Sequence, residues 1–514
     1  MATSARWSML VVGTILFVFA QHGPWYVPAA GWVYAVFLLR FARGGRVLGG
    51  TVALAVAMAV VWPLYLYEIG LPAFTPMTLL CVAIGLVMAL AFLVDRLVTP
   101  RLGSAVARTV VFPAAVVGAE FALATVTPMG DVIGTMAGGQ HANLALLQVT
   151  SVTGSYGVSF LMAWAASVAT EVWQRWPELA RVRAAVLAFA VTLGLVLVAG
   201  SVRLAASVPA EGTVRVAGVS AARSAEAAAK AVLAPGGGSL RRAAPAEVRR
   251  ASAITTDDLL ASTEREARAG AKIVVWPEGG TSTLASERDQ LLARVADVAA
   301  RTGTYVDAAF VTRQDTSGEI HNEAVMIDPA GHRAWQYRKA HPVPYMDNFA
   351  PGDGRVPTAD TPYGRLANVI CFDADFPALM RQQPGVDVML VPSNDWIEFG
   401  RTHTERAVLK AVSNGYSLVR QDSRGVAMAI DPWGRVLSSA DYFASDRQAM
   451  VADVPLRGSR TVYATIGDVF AWLCLAGLAG LAIVAIRRSG GRDAPVRADP
   501  AQHGADRLGS PVRL

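Results

Sequence analysis

Long runs of apolar residues occupy both ends of this chain, and a more polar segment separates them. About seven runs of spanning or near-spanning length fall within the first 205 residues, and an eighth follows the polar segment. A helix needs about 20 apolar residues to cross the hydrocarbon core of a bilayer. The pattern therefore predicts eight transmembrane helices, which we place at about 8–21, 25–41, 49–67, 76–95, 105–125, 146–173, 183–203 and 465–486.

Residues 206–460, between the seventh and eighth runs, have the shorter periodicities of a folded α/β domain. Helical spacing of apolar residues predicts helices at about 246–269, 284–302 and 403–414. Short apolar or alternating runs predict strands at about 272–278, 304–312, 323–328, 333–339, 366–370, 388–391, 416–420 and 425–430. This mixture of strands and helices indicates an α/β fold.

Two segments have neither the helical nor the strand spacing of apolar residues. Residues 220–252 are rich in Ala, Gly and Arg and contain Pro-Gly-Gly-Gly at 235–238, so we expect a flexible insertion near the start of the domain. Residues 489–514 are rich in Gly, Pro, Arg and Asp, so we expect a disordered cytoplasmic tail. The predicted domains are a membrane domain at 1–205, the α/β domain at 206–460, an eighth transmembrane helix at 461–488 and the tail at 489–514.

Composition and charge support a membrane protein with a defined orientation. The chain is 53% hydrophobic and 17% charged, which is too apolar for an ordinary soluble enzyme. Arginines cluster after the second, fourth, sixth and eighth apolar runs, whereas the loops at 21–24, 70–75 and 127–143 contain neither Arg nor Lys. Because positively charged loops stay in the cytoplasm, both termini are predicted inside and the α/β domain outside. The first run follows only Arg6 and no clear cleavage site, so we expect a retained span.

The remaining composition excludes some partners. The net charge of +6 is modest for this length, so we expect no nucleic-acid partner. Cys81 and Cys474 lie within apolar runs, which leaves Cys371 as the only thiol in the polar domain. No disulfide can form within that domain, and no cysteine spacing typical of zinc is present. We therefore expect neither a metal nor another cofactor.

Three reactive residues stand at the ends of short strand-like runs. They are Glu278, Lys339 and Cys371, in that chain order. Because α/β proteins gather reactive groups where strands end along one edge of a sheet, we expect the three to meet. Cysteine attacks a carbonyl, glutamate takes and returns the proton, and lysine stabilises the charge that develops on the oxygen. This set of residues suits acyl transfer.

Cys371 also marks a predicted strand-to-helix junction, because acidic residues and the Phe376–Pro377 pair follow it. Backbone N–H groups and the positive end of a helix dipole lower the pKa of a thiol, so we expect Cys371 to ionise readily. The alternative is that Cys371 is only a small buried apolar side chain.

Three motifs are similar to those of the nitrilase superfamily, whose catalytic residues are Glu, Lys and Cys. They are Val-Trp-Pro-Glu at 275–278, Tyr-Arg-Lys at 337–339 and Ile-Cys-Phe-Asp at 370–373. Their order matches the superfamily, and the resemblance covers about 214–455. It implies an α-β-β-α sandwich in which Glu278 is the base, Lys339 stabilises the oxyanion and Cys371 is the nucleophile.

The membrane segments extend the resemblance to the apolipoprotein N-acyltransferases, the membrane branch of this superfamily. The sixth apolar run contains Ser-Tyr-Gly-Val-Ser-Phe-Leu at 155–161. The family inserts its nitrilase domain between spans seven and eight, facing the periplasm or the cell exterior. Glu120 in the fifth run matches an intramembrane glutamate of the family, and a carboxylate in a span is a functional candidate by default. A packing hydrogen bond is the alternative, and the Leu-Arg pair that follows the family's glutamate is replaced here by Phe-Ala-Leu.

Further residues match supporting positions of the family. Asp347, eight residues after Lys339, stands where the family has a second glutamate, and a solvated loop acid is the alternative. Asn394 and Trp396 resemble the family's Asn-Asp-x-Trp loop with one residue fewer. His403 matches a helix histidine that caps or packs more commonly than it catalyses. The aromatic candidates for an apolar rim that holds lipid, with core packing as the alternative, are Trp335, Tyr345, Trp396 and Phe399.

The resemblance implies N-acylation of lipoproteins in the bacterial cytoplasmic membrane. A phospholipid would acylate Cys371, and the amine of a diacylglyceryl-cysteine at a lipoprotein N-terminus would then take the acyl group. We expect a monomer. The departures from the family pattern leave open a membrane-tethered carbon–nitrogen hydrolase or amidase, or an acyltransferase with another amine acceptor. A non-enzymatic lipid- or lipoprotein-binding scaffold is the third hypothesis, and the intact Glu-Lys-Cys set argues against it.

Overall fold

The computed structural model describes residues 3–207 and 212–490. Within 3–207 the chain forms only helices and connecting loops, and an α/β domain and a last long helix follow. The predicted tail at 489–514 lies outside the described residues, apart from the end of the last helix at Gly490. The helices of the first part are α1 (Thr3–Ala20), α2 (Pro28–Ala42), α3 (Val47–Glu68), α4 (Pro76–Val98), α5 (Ala105–Val126), α6 (Leu144–Leu147), α7 (Thr150–Thr153), α8 (Tyr156–Gln174) and α9 (Arg183–Ala205).

The second part alternates strands and helices. Its helices are α10 (Arg223–Leu233), α11 (Pro245–Arg268), α12 (Arg288–Thr302), α13 (Pro377–Met380), α14 (Gly400–Glu405) and α15 (Ala407–Asn414), followed by α16 (Val462–Ile466) and α17 (Val469–Gly490). Its strands are β1 (Thr213–Val219), β2 (Ile273–Val275), β3 (Thr281–Leu284), β4 (Tyr305–Arg313), β5 (Ile320–Ile327), β6 (Arg333–Arg338), β7 (Thr358–Thr361), β8 (Gly364–Asn368), β9 (Val388–Asn394), β10 (Ser417–Ser423), β11 (Val426–Ile430), β12 (Val436–Asp441) and β13 (Ala449–Pro455).

Six helices of the described chain are long and apolar enough to cross a membrane: α1, α3, α4, α5, α9 and α17. Counting the bent segment from α6 to α8 as one span gives seven. The second predicted run becomes α2, an apolar helix of 15 residues. It begins at Pro28 because proline lacks the amide hydrogen that an interior helix position needs but suits the first turn.

The sixth predicted run is not one continuous helix. The chain turns by 117° between the segment that holds α6 and α7 and the following α8. Gly154 lies at the break with a φ of +64°, which ends a right-handed helix. The Thr153 hydroxyl bonds the carbonyl of Val149, 3.0 Å away. The span predicted over 146–173 is therefore bent, because a glycine with positive φ interrupts an otherwise apolar run.

Two sheets form the centre of the α/β domain. In the described chain, one has the strand order β13–β1–β2–β4–β5–β6, with β3 pairing with β4, and the other has the order β12–β11–β10–β9–β8–β7. Apolar side chains of both sheets meet in one buried cluster, for example Val216 and Ile273 of the first with Leu390 and Val419 of the second. The sheets therefore pack face to face.

Helices cover the outer face of each sheet. Leu259 of α11 and Val295 of α12 pack on the first sheet. Val408 and Ala411 of α15 pack on the second sheet in a cluster that continues into the membrane domain. The α-β-β-α layers and the helical membrane domain confirm the predicted fold class.

The segment predicted as a flexible insertion is mostly helical. α10 occupies Arg223–Leu233, and α11 begins at Pro245. Ser224 of α10 donates to Asp446, 2.9 Å away, and Tyr442 donates to Glu226, 2.7 Å away. The expectation of flexibility over 220–252 is therefore wrong for these parts, because alanine-rich sequence has high helix propensity and the helix gains tertiary contacts.

The first and last strands of the domain are neighbours. β1 and β13 pair antiparallel, with Thr213 opposite Pro455 and Val219 opposite Ala449. The ends of the domain sequence therefore lie together, where the chain continues from α9 and into α17.

The α/β domain packs directly on one end of the membrane domain. The indole N–H of Trp396 donates to the carbonyl of Ile69, just after α3, at 2.5 Å. The amide N–H of Asp131, in the loop after α5, donates to the carbonyl of Asp375 at 2.8 Å. These contacts bring two loops of the membrane domain against strand ends of the α/β domain.

Candidate active site

A cavity of about 560 Å³ lies between the two domains. Glu278, Lys339 and Cys371 line it from the α/β domain. The opposite wall comes from helix ends and loops of the membrane domain, and its residues are mostly apolar: Tyr65, Leu66, Ile69, Gly70, Leu71, Met77, Met129, Val132 and Ile133. The three residues predicted to be catalytic thus meet in one pocket and face an apolar surface.

The three residues come from both sheets. Glu278 follows β2 and Lys339 follows β6, both in the first sheet, whereas Cys371 follows β8 in the second. The expectation that one sheet edge carries all three is therefore wrong. They meet because the two sheets pack face to face and the ends of these strands open into the same cavity.

Lys339 lies at the centre of a buried ion network. Its Nζ donates to Glu278 Oε1 and to Asp347 Oδ2, each at 2.8 Å. Only 2% of the lysine is exposed. Burial lowers the pKa of the Lys339 amine, but the charges of Glu278 and Asp347 outweigh it and hold the pKa above its ordinary value. The side chain is therefore an ammonium held between two carboxylates.

The shorter Asp347 side chain reaches Lys339 because its loop folds back. The backbone N–H of Val343 donates to Asp347 Oδ2 at 2.8 Å, and the N–H of Asp347 donates to the carbonyl of Val343 at 3.0 Å. This turn brings the carboxylate to the ammonium. Asp347 is therefore an ion-pair partner of Lys339 and not a solvated loop acid.

Glu278 is oriented by two donors that bind the same oxygen. Asn322 Nδ2 donates to Oε1 at 2.6 Å, alongside the Lys339 ammonium. The backbone N–H of Glu278 donates to the carbonyl of Ser393 at 3.2 Å and fixes the turn. With Oε1 engaged twice, Oε2 remains to exchange a proton.

Cys371 occupies a tight turn with unusual backbone geometry. It begins a 3₁₀ turn, Cys371–Asp375, and has a φ of +48°, in the left-handed region that side chains disfavour. Asp373 ties this turn to the segment around Lys339, because its carboxylate accepts from Tyr337 Oη at 2.8 Å and from the His341 N–H at 2.8 Å. The turn of Cys371 and the segment around Lys339 are thus held by one buried aspartate.

The environment of the thiol differs from the expectation of a readily ionised cysteine. Burial and the neighbouring carboxylate of Glu278 raise the pKa of Cys371 well above its ordinary value. The five-residue turn is too short to supply a strong helix dipole against that cost. The raised pKa favours the neutral thiol at rest, so an attack by this sulfur would need a base.

A second set of charges lies behind the thiol. Arg420 Nη2 is 3.8 Å from Cys371 Sγ and donates to Asp395 Oδ2 at 2.8 Å. His403 contacts Asp395 Oδ1 through Nδ1 at 2.8 Å and Asp375 Oδ2 through Nε2 at 2.7 Å. Burial lowers the pKa of His403, but the two carboxylates outweigh it and raise the pKa overall. Acidic and basic side chains therefore alternate in the order Asp375, His403, Asp395 and Arg420. The last of them, Arg420, lies beside the Cys371 sulfur.

Cys371, Asp395 and His403 offer three metal-ligand atoms within 4.8 Å of one another. Both ring nitrogens of His403 already contact carboxylate oxygens, however, and Arg420 Nη2 lies 2.9 Å from Nδ1. Arg420 adds a positive charge beside the thiol. We therefore interpret these residues as an ionic network that positions Cys371, and assign no metal to them.

The other predicted residues divide into those that line the cavity and those that do not. Asn394 is exposed at its rim, and Trp396 stacks on Phe399 with ring centres 5.0 Å apart, so all three contribute to it. Trp335 is buried between the two sheets, so its expected place at the rim is wrong. Tyr345 is 67% exposed and is not among the lining residues.

Glu120 is separate from the catalytic cavity. It is buried in α5, and its Oε1 accepts a hydrogen bond from the backbone N–H of Met136 at 2.8 Å. This contact ties α5 to the loop that follows it. The geometry agrees with the packing alternative for this residue.

Sequence reasoning missed Asn322 and Arg420. Asn322 lies in a His-Asn-Glu run of β5, and Arg420 begins an Arg-Gln-Asp-Ser run of β10. Polar residues grouped inside a segment that is otherwise strand-like are the signal that was available. Asp373 belonged to the motif around the nucleophile, but its role in holding the Lys339 segment depends on contacts between distant parts of the chain.

Two family profiles match the sequence. The profile described as "Carbon-nitrogen hydrolase" matches residues 166–463, and the profile described as "Apolipoprotein N-acyltransferase N-terminal domain" matches residues 13–168. Together they cover most of the chain.

Curated relatives fall into two groups. Proteins named apolipoprotein N-acyltransferase include one from Geobacter metallireducens, 27% identical over 245 residues (42% of this chain, 46% of the relative), and one from Gloeobacter violaceus, 28% identical over 267 residues (46% and 50%). An (R)-stereoselective amidase from Pseudomonas sp. is 32% identical over 136 residues (24% and 49%). The chain spans about half the length of the curated relatives it matches. Among solved structures, an amidase from Nesterenkonia sp. has 17% identity and a TM-score of 0.39, covering 52% of this chain and 98% of that one.

Proposed function

This chain belongs to the apolipoprotein N-acyltransferase family, the membrane branch of the nitrilase superfamily, and from that premise we propose that it N-acylates lipoproteins with a phospholipid as acyl donor. The observation that carries the proposal is the cavity between the domains. Its α/β wall holds a nucleophile, a carboxylate and an ammonium, and its membrane wall is apolar. A pocket built this way suits a substrate whose reactive ester is polar and whose chains are hydrocarbon.

The first half of the reaction forms a thioester. Glu278 takes the proton of the Cys371 thiol as the sulfur attacks the carbonyl carbon of the phospholipid ester. The Lys339 ammonium stabilises the oxyanion of the tetrahedral intermediate. Glu278 then returns the proton to the departing alcohol oxygen, so the lysophospholipid leaves and the acyl group stays on Cys371. Concerted proton removal fits a thiol that is neutral at rest.

The second half transfers the acyl group to nitrogen. The α-amine of a diacylglyceryl-cysteine attacks the thioester carbonyl, and Lys339 again stabilises the oxyanion. Glu278 takes the amine proton and passes it to the leaving sulfur, which restores the Cys371 thiol. Arg420, 3.8 Å from the sulfur, stabilises the negative charge that develops on it when the thioester breaks.

A membrane-bound amidase or other carbon–nitrogen hydrolase is the second candidate. The match to an (R)-stereoselective amidase favours it, because that relative is more identical over its aligned segment than the two acyltransferases above. The same three residues would act, with water as the acceptor of the acyl group.

The two candidates differ in what discharges the acylated cysteine. We expect protein incubated with a phospholipid to accumulate a Cys371 thioester, detected by mass spectrometry of the intact chain. A diacylglyceryl-cysteine peptide with a free amine should then discharge it quickly, whereas the same peptide with an acetylated amine should not. Equal discharge by both peptides and by buffer alone would replace the acyltransferase with the hydrolase.

We also propose that the α/β domain lies outside the cytoplasm. Three arginines from loops predicted to be cytoplasmic meet in one ion cluster. Arg43 bonds Asp95 at 2.7 Å and Glu171 at 3.0 Å, and Arg108 and Arg175 approach Glu171 at 3.3 and 3.0 Å. Loops that share a cluster lie at the same end of the helices, and the α/β domain packs on loops at the other end. The charge rule then supports an extracytoplasmic site.

The orientation of the α/β domain is tested with two reporter fusions, one placed before α17 and one placed after it. A reporter fused after Arg460, just past the α/β domain, should be active outside the cytoplasm. A reporter fused after Leu514, beyond α17, should be active inside. Both reporters on the same side would contradict α17 as a membrane span, and reversed sides would contradict the proposed orientation.

A further inference from the structure

Two histidines and a glutamate converge at a second place between the two domains. His22 belongs to the loop after α1, His141 to the loop after α5, and Glu405 to the end of α14 in the α/β domain. The chain has seven histidines in 514 residues, and the rings of these two stack with centres 5.3 Å apart. One ring nitrogen of each histidine and one glutamate oxygen all lie within 4.8 Å of one another.

The distances suit a shared cation better than direct hydrogen bonds. Glu405 Oε2 is 3.3 Å from His22 Nε2 and 3.7 Å from His141 Nε2. Charge-assisted hydrogen bonds between nitrogen and oxygen measure about 2.7–2.9 Å. Ligands at about 2.0–2.2 Å from a tetrahedral zinc ion are separated by roughly 3.3–3.6 Å. Both contacts are therefore too long for strong hydrogen bonds and close to the edges of such a tetrahedron.

Burial also fits a metal centre. His22 is 3% exposed, and the side chains of His141 and Glu405 are each 15% exposed, so the cluster is not a solvated surface group. Arg406, the next residue in the chain, directs Nη1 to the Asp131 carbonyl and the Thr135 hydroxyl, each at 3.4 Å. The carboxylate of Glu405 is thus left facing the two imidazoles.

We propose that His22, His141 and Glu405 bind one Zn²⁺ ion. Two imidazoles and one carboxylate are a frequent zinc ligand set. Tyr26 Oη lies 3.5 Å from His141 Nε2, which puts the phenol or a water beside the fourth position. The ion joins two loops of the membrane domain to α14, the helix that carries His403, and so fixes the α/β domain against its apolar wall.

The sequence predicted no metal because it contains no cysteine spacing typical of zinc. The three ligands are separated by more than a hundred residues at each step of the chain, from 22 to 141 to 405. Only the packing of the α/β domain on the membrane domain brings them together.

The test measures zinc bound to the full chain in detergent. Protein stripped with a chelator, reloaded with zinc chloride and passed through a desalting column should retain about one zinc per chain. His141→Ala and Glu405→Gln should each weaken zinc binding by more than about 100-fold, the upper range for losing a residue that merely supports a ligand. His332→Ala removes a histidine whose side chain is 81% exposed and should bind like the wild type.

Two further readouts keep the result independent of activity and folding. Cobalt substituted for zinc should give the visible absorption of a four-coordinate ion in the wild type and in His332→Ala only. Zinc should raise the melting temperatures of the wild type and of His332→Ala above their values in chelator, but not those of the two ligand variants. Wild-type protein that retains no zinc, or His141→Ala and Glu405→Gln that retain as much as the wild type, would overturn the proposal.

Discussion

We expect Cys371→Ala to abolish acyl transfer while the protein remains folded and inserted. This is the largest effect that the structure leads us to expect. Removing a catalytic nucleophile costs on the order of 10⁶-fold in rate in serine proteases, and no other thiol in the α/β domain can replace Cys371. The measurement is the rate of lipopeptide acylation by purified protein. Cys371→Ser is the matched variant, because it keeps the side-chain shape and supplies a poorer nucleophile.

The folded state of these variants must be checked against the positive φ at the same residue. Alanine and serine keep the Cβ atom, so both retain the backbone strain of the native turn and should melt near the wild-type temperature. A Cys371→Ala variant that transfers acyl groups at the wild-type rate would overturn the thioester mechanism.

The pH dependence of labelling gives a separate check on the thiol. Because burial and Glu278 raise the pKa of Cys371, its thiolate fraction at neutral pH is small and grows with pH. An alkylating reagent should therefore label Cys371 about tenfold faster for each pH unit between 7 and 9. A rate that is already constant at pH 7 would mean that the thiol is ionised at rest.

Lys339→Arg is expected to lose nearly as much activity as Lys339→Ala, about 100- to 1000-fold for the loss of one oxyanion donor. The ammonium is almost fully enclosed and lies 2.8 Å from two different carboxylates. A guanidinium is longer, planar and wider, so it cannot take both contacts in the same space without moving Glu278 or Asp347.

The control for that substitution is Lys272→Arg, which makes the same chemical change at an exposed lysine away from the cavity. It should leave acylation unchanged. Melting temperatures separate lost catalysis from lost folding, since Lys339→Ala also leaves the buried Glu278 and the partly buried Asp347 without their shared cation. If Lys339→Arg keeps more than a tenth of the wild-type rate, positive charge alone is sufficient and the shape of the ammonium is unimportant.

The meeting of Glu278, Lys339 and Cys371 could be predicted because each residue has a local signal. Each follows a short strand-like run, which is apolar before Glu278 and alternates before Lys339, and strand ends are where a sheet exposes reactive groups. The two long helices of the α/β domain were also predictable, because apolar residues at helical spacing are a strong pattern over 15 or more residues.

The surroundings of those residues could not be predicted in the same way. Their origin in two sheets depends on how the sheets face each other, and the apolar wall depends on segments that end at Ile133, well before Glu278 in the chain. The raised pKa of Cys371 is a consequence of this burial, so a local argument from the helix dipole gave the opposite direction. Asp347 shows the same limit, because only the fold of its loop decides whether a carboxylate reaches Lys339.

The pairing of β1 with β13 gives the α/β domain a fixed order of assembly during synthesis. The membrane helices α1 to α9 leave the ribosome first, so the apolar wall of the cavity exists before the strands that face it. At about 5–20 residues per second, the roughly 230 residues between β1 and β13 take roughly 10–50 s to appear. Throughout that time one edge of β1 has no partner strand, and an unpaired edge attracts other chains. The first sheet has all its strands only when β13 arrives, shortly before α17 is made.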